Sequence, residues 1–195
     1  MVLVHTTATE AAAWLVTSQT PPDQLITLGP AGFGAYARLR YIPDPTSPGQ
    51  LETDAEVPDD HPLWAGQARR AWNVLSEFTQ TPDECFFCLW EGTAGDALSA
   101  TELHGPLVAV PHRQYVLFTG SLRDFTEGGA GPVDGDAGPV PAFAWPADRR
   151  WCFTSDVDTH WAGIGASQEA IERLLNAPGL DVVQTTPDER PPAYR

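Results

Sequence analysis

The chain contains no lysine; all eleven of its basic residues are arginine. That absence excludes a group of chemistries. A P-loop sets a lysine on the β- and γ-phosphates of a nucleotide, a pyridoxal enzyme holds its cofactor as a lysine Schiff base, and a protein kinase needs a lysine on a strand. Cysteine is nearly as scarce. Three cysteines, Cys85, Cys88 and Cys152, are too few for the disulfide framework of a secreted domain. No apolar run approaches the roughly eighteen residues of a membrane span. The opening MVLVHTTATEAAAW lacks the basic lead and sustained apolar stretch of a signal peptide. Cytoplasmic is the expected location.

Positive charge is also short overall. Twenty-six acidic residues against eleven basic ones give a formal net charge of −15. Such a field repels a phosphate backbone and an anionic membrane, so neither nucleic acid nor membrane is an expected partner; a basic protein is. With 195 residues the chain is read as a single globular domain over 1–195. Mobile loops are expected near 43–62 and 126–141. The first holds five prolines and six acids, and the second, TEGGAGPVDGDAGPVP, is rich in glycine and proline.

Between these loops the pattern alternates between helix and strand signals. Thr7 and Glu10 have capping-box spacing, and Ala11, Trp14, Leu15 and Ser18 then follow at helical intervals until Pro21-Pro22. Gln24–Leu28 and Phe33–Ile42 read as two strands of a hairpin, with Ala35, Ala37 and Leu39 on one face and Tyr36, Arg38 and Arg40 on the other, wetter one. Trp64, Ala68, Ala71, Trp72, Leu75 and Phe78 mark an amphipathic helix. CFFCLW is continuous and apolar enough for a strand buried on both faces. Residues 93–105 read as loop, and Pro106–Val110 with Gln114–Leu122 as strands about a tight turn at His112-Arg113. Residues 151–155, a helix over 168–176 capped by Ser167, and Leu180–Thr185 complete the chain. The fold class that follows is α+β: a mostly antiparallel sheet of about eight strands with about three helices packed largely on one face.

The run WPADRRWCFTSDVDTHWAGIGASQEAIERLL, with TPDECFFCLWEG and PHRQYVLFTG upstream, resembles a family of uncharacterised proteins common in actinobacteria. The resemblance extends from about Phe33 to Val183. It implies an intact single domain and carries no activity or catalytic residues with it.

Several constellations could carry chemistry. Cys85 and Cys88 have the CxxC spacing, but no second ligand pair exists for a zinc knuckle, and in a strand the two point to opposite faces. They are read as buried structural thiols. Asp156 and Asp158 superficially match the nucleophile loop of haloacid-dehalogenase-like phosphatases. That chemistry needs a downstream lysine and a longer remaining core, both missing, and a DxD glycosyltransferase fails for the same shortage. The Gly163-Ile164-Gly165 step before a helix is read as a tight turn with close packing under Trp161, since nearby acids would repel an anion. What remains is a patch of Asp156, Asp158, His160 and Trp161. If the turn is extended, both carboxylates and the imidazole share a side and could hold a divalent ion or a ligand. The leading functional expectation is a non-catalytic acidic protein-interaction module of the immunity or antitoxin kind, with no cofactor. The alternative is a small metal- or ligand-binding enzyme with its site at the 156–161 turn.

Overall fold

The computed structural model describes residues 3–92, 98–126, 140–157 and 159–195. The expected mobile loop at 126–141 falls almost wholly outside the described residues, and so does Asp158. In chain order the first elements are β1 (Val4–His5), a 3-10 turn at Thr9–Ala12 running into α1 (Ala13–Val16), α2 (Pro22–Thr27), β2 (Ala35–Arg40) and α3 (Trp64–Ser76). β3 (Cys85–Trp90), α4 (Ala100–Leu103), β4 (Val108–Val110), β5 (Arg113–Gly120) and α5 (Leu122–Thr126) follow. The chain ends with β6 (Phe143–Pro146), β7 (Cys152–Thr154), β8 (Trp161–Ala166), α6 (Gln168–Leu175) and β9 (Val182–Thr185). The class is α+β, as expected.

All nine strands among the described residues join one antiparallel sheet in the order β1-β5-β3-β6-β7-β8-β2-β9, with β4 beside β5. Only β4-β5, β6-β7 and β7-β8 are neighbours both in sequence and in the sheet. β2 instead lies between β8 and β9, with Arg40 opposite Trp161 and Leu39 opposite Val182. The expected hairpin of 24–28 with 33–42 is therefore absent. Pro22 stands at the first position of α2 with Asp23 in the first turn, so the prolines that stop one helix start the next. Leu25 and Ile26 are buried by that helix rather than by a strand. Six residues are too few for periodicity to separate the two readings.

The two faces of the sheet bury different elements. Ala37, Leu39, Phe87, Phe153 and Ile164 pack against Ala68, Trp72 and Leu75 of α3 and Ile171 and Leu174 of α6. Trp72 meets the Phe153 ring edge-on at 5.2 Å. Each leucine so buried contributes about 2 kcal/mol of transfer free energy. On the opposite face Cys88, Leu117, Trp145 and Cys152 are covered by Leu15 of α1 and Leu25 of α2. Cys85 belongs to the first face and Cys88 to the second, as strand geometry requires. All three cysteines are free and buried, and burial pushes the Cys85 and Cys152 thiols up to about 12. They are inert packing groups.

Helix ends show where side chains decide matters. The box expected at Thr7 does not form: the turn there is capped by Ala8 without a side-chain bond. A full capping box occurs instead at Ser99 and Glu102, opening α4 inside the stretch read as loop. Ser167 does cap α6, its Oγ accepting from the Ala170 N–H at 3.2 Å, while Glu169 and Arg173 match the two ends of the helix dipole. Ser167→Ala is expected to cost about 1 kcal/mol and to lower Tm by about 3 °C, measured by thermal unfolding.

Candidate functional site

The strand register gathers several loops at one end of the sheet. β7 ends and β8 begins there, so the turn at 155–160 sits between the exit of β2, the exit of β3, the β4-β5 turn and the entry to β6. The Ser155 N–H donates to the Ala142 carbonyl and the Tyr41 N–H to the His160 carbonyl, both at 2.9 Å, which stitches the turn to its neighbours.

Asp156 points toward β5. Arg113 grips its carboxylate with two bonds, Nε to Oδ1 at 3.2 Å and Nη2 to Oδ2 at 3.3 Å. The guanidinium also lies over the Trp90 ring, 5.7 Å from its centroid. Arg113 starts β5 directly after His112, whose φ of 70° makes the tight turn that aims it.

His160 and Trp161 point the other way. The His160 Nε2 is 3.0 Å from Asp44 Oδ1, and the imidazole meets the Tyr194 ring edge-on at 4.8 Å. Trp161 carries the Arg38 guanidinium 5.4 Å from its ring centre. Arg38 in turn holds Asp44 through two bonds of 2.7 and 3.0 Å, and Arg40 bridges Asp44 and Asp181. Burial alone would raise the Asp44 carboxyl. Hydrogen bonds from Arg38 and His160 and the charges of Arg38 and Arg40 outweigh it and hold the group down at about 2.

Asp156 and His160 therefore do not share a side, and their carboxylate and imidazole serve different partners. Between them Thr159 Oγ1 donates to the Trp161 carbonyl at 2.7 Å, and Asp158 lies outside the described residues. Among the described residues no group of three His, Cys, Asp or Glu side chains is placed to hold a metal ion.

The turn is instead a wall between two cavities, each of about 460 Å³, and Thr159 lines both. That volume lies in the range of small-ligand and side-chain pockets. One cavity is aromatic: Tyr41, Trp64 and Trp90 line it, with Ala142, Asp156 and Val157. Tyr41 and Trp64 meet edge-on at 6.0 Å, and the Tyr41 hydroxyl is 3.0 Å from that of Ser155. Burial pushes the Tyr41 phenol well up, so it stays neutral. The other cavity lies beneath residues 187–195, with Leu28, His160 and Trp161 in its lining.

No protein-family model matches the chain, and no curated protein or solved structure does either. The reading of the site rests on its geometry. Sequence reasoning found the turn but missed Asp44, Arg38, Arg113 and the three rings. One signal was present: two arginines alternating with Ala37 and Leu39 on a buried strand need carboxylates close by, and Asp44 is the first acid after them.

Proposed function

We propose that the protein is a non-catalytic, acidic protein-binding module whose docking point is the aromatic cavity. The observation that carries this reading is exposed apolar surface in the lining of that cavity: Val157 is 56% exposed and Trp64 37%, and Leu63, 66% exposed, directly precedes Trp64 in the chain. Single exposed apolar side chains are ordinary, but here two line one pocket together with further rings. Interface hot spots take this form, an aromatic-lined pocket that dehydrates an inserted side chain. The exposed acids Asp59 and Asp60 lie three to four residues before Leu63, and the exposed Glu91 directly follows Trp90 of the lining. Asp156 is already neutralised by Arg113, so the pocket itself favours an apolar anchor and its surroundings favour basic flanks.

The partner is thus a basic protein that inserts an aliphatic or aromatic side chain between Trp64 and Val157. The −15 net charge speeds encounter, and the anchor supplies affinity. A random-peptide display library panned on the full chain tests this. Enriched peptides are expected to place an apolar residue beside arginine or lysine. Trp64→Ala is expected to weaken their binding about thirtyfold. Val157→Asp, at an exposed position in the cavity lining where folding is insulated, should weaken it as well. Enrichment without such a pattern, or binding indifferent to both substitutions, overturns the reading.

A further inference from the structure

The second cavity has a construction of its own. Leu28 and Trp161 form its floor, the Asp23–Thr27 side of α2 one wall, and residues 187–195 its roof. The space, about 460 Å³ and open to solvent on one side, is built by segments far apart in sequence and is of a size that takes a small ligand. The roof is tied from the side. The Tyr194 hydroxyl donates to the Pro43 carbonyl at 2.6 Å, and the Arg195 N–H donates to the Gln50 carbonyl at 2.9 Å. These bonds hold the roof across the cavity while Pro187, Pro191 and Pro192 present apolar faces to it.

Charge narrows what fits. Asp23, Glu52, Asp188 and Glu189 line the space together with Arg190 and Arg195, and the Glu189 carboxylate accepts from the Thr185 hydroxyl at 3.1 Å. Partial burial first, then the Asp44 and Glu52 carboxylates, push the ionisation of the Tyr194 phenol up, against the charge of Arg40. An anion entering here is repelled and an ammonium is drawn in.

We propose that this cavity binds a small organic cation, an ammonium group on a planar or aliphatic body. The body lies against Leu28, Trp161 and the prolines, and the ammonium faces Asp23 and Glu52. The site is separate from the docking cavity and lies across the 155–160 turn from it.

Phenethylamine and 3-phenylpropionate share a body and differ in the sign of the charge, so the pair isolates this inference. In a ¹H–¹⁵N NMR titration of the full chain at low ionic strength, phenethylamine is expected to give saturable shifts at the Thr27, Thr159 and Trp161 amides. It should bind about tenfold more tightly than 3-phenylpropionate. The surface double substitution Asp23→Asn/Glu52→Gln is expected to weaken phenethylamine about fivefold while leaving Tm unchanged. Equal binding of the two compounds, non-saturating shifts, shifts mapping elsewhere, or indifference to the double substitution would each overturn the proposal.

Discussion

Gly163→Ala is expected to destabilise the protein by about 3 kcal/mol, near the upper end for overpacking a core. Gly163 lies within β8 opposite Arg38 and Thr154, facing α2. A Cβ there would sit 2.5 Å from both the Leu28 Cα and the Thr27 carbonyl oxygen, and 3.0 Å from the Leu28 carbonyl carbon. All three are backbone atoms, so no rotamer change relieves the clash and the end of α2 must move off the sheet. Gly165 provides the internal control. Its added Cβ would strike the side-chain ring of Phe33, which can swing aside, so Gly165→Ala should cost less, about 1–2 kcal/mol. Urea unfolding measures both; the expected signature is a lowered midpoint with an unchanged slope. Equal costs at the two positions would show that α2 does not rest on β8 backbone to backbone.

These glycines also show how the sequence was legible and where it was not. Close packing was a correct expectation for them, but its partners are the Thr27–Leu28 backbone and the Phe33 ring and not Trp161, and a tight turn was not correct, because Gly-x-Gly before a capped helix reads alike in a turn or a strand. The register with β2 and β7 decides for the strand, and register is a long-range property. Elements with many periodic contacts of their own were readable: α3 from Ala68, Ala71, Trp72 and Leu75, β3 from an unbroken apolar run, α6 from Ser167 and its apolar stripe. The short helices α2 and α4 were not, since four to six residues carry too little pattern. The same divide runs through the site. Asp156, His160 and Trp161 stand out locally, but what they do is set by Arg113, Asp44 and Arg38, which only the sheet order brings to them. Two carboxylates and an imidazole in five residues look like one site; partners drawn from β5 and from the exit of β2 separate Asp156 and His160 onto two cavities.

Asp44→Asn is expected to cost about 3 kcal/mol, the lower end of the range for breaking a buried ion pair. The Arg38 side chain is 6% exposed and stays buried without its counter-charge, while Arg40 keeps Asp181. Arg38 also has its Nε buried without a hydrogen-bond partner among the described residues, so Asp44 is the group that justifies its burial. Adding Arg38→Met to Asp44→Asn removes the stranded charge and fills its place beside Trp161 with an apolar chain. The double variant should therefore be more stable than Asp44→Asn alone, a non-additivity that a double-mutant cycle reads directly. The pH dependence has a definite sign. The folded-state carboxyl titrates at about 2, below the roughly 3.9 of an unfolded chain, so the contribution is complete above about pH 4 and is lost as pH falls toward 2. Allowing for solvent screening of a carboxylate that is 18% exposed, that loss is about 2 kcal/mol. Stability curves of wild type and Asp44→Asn should draw together by about 2 kcal/mol over this interval, because protonated aspartic acid and asparagine leave Arg38 equally unpaired. A gap between them that persists unchanged from pH 5 to pH 2 would mean that Asp44 acts through packing and not through charge. Convergence would place the arginine-carboxylate cluster as the fixed point that holds β2, β9 and His160 in register, and with them the wall between the two cavities.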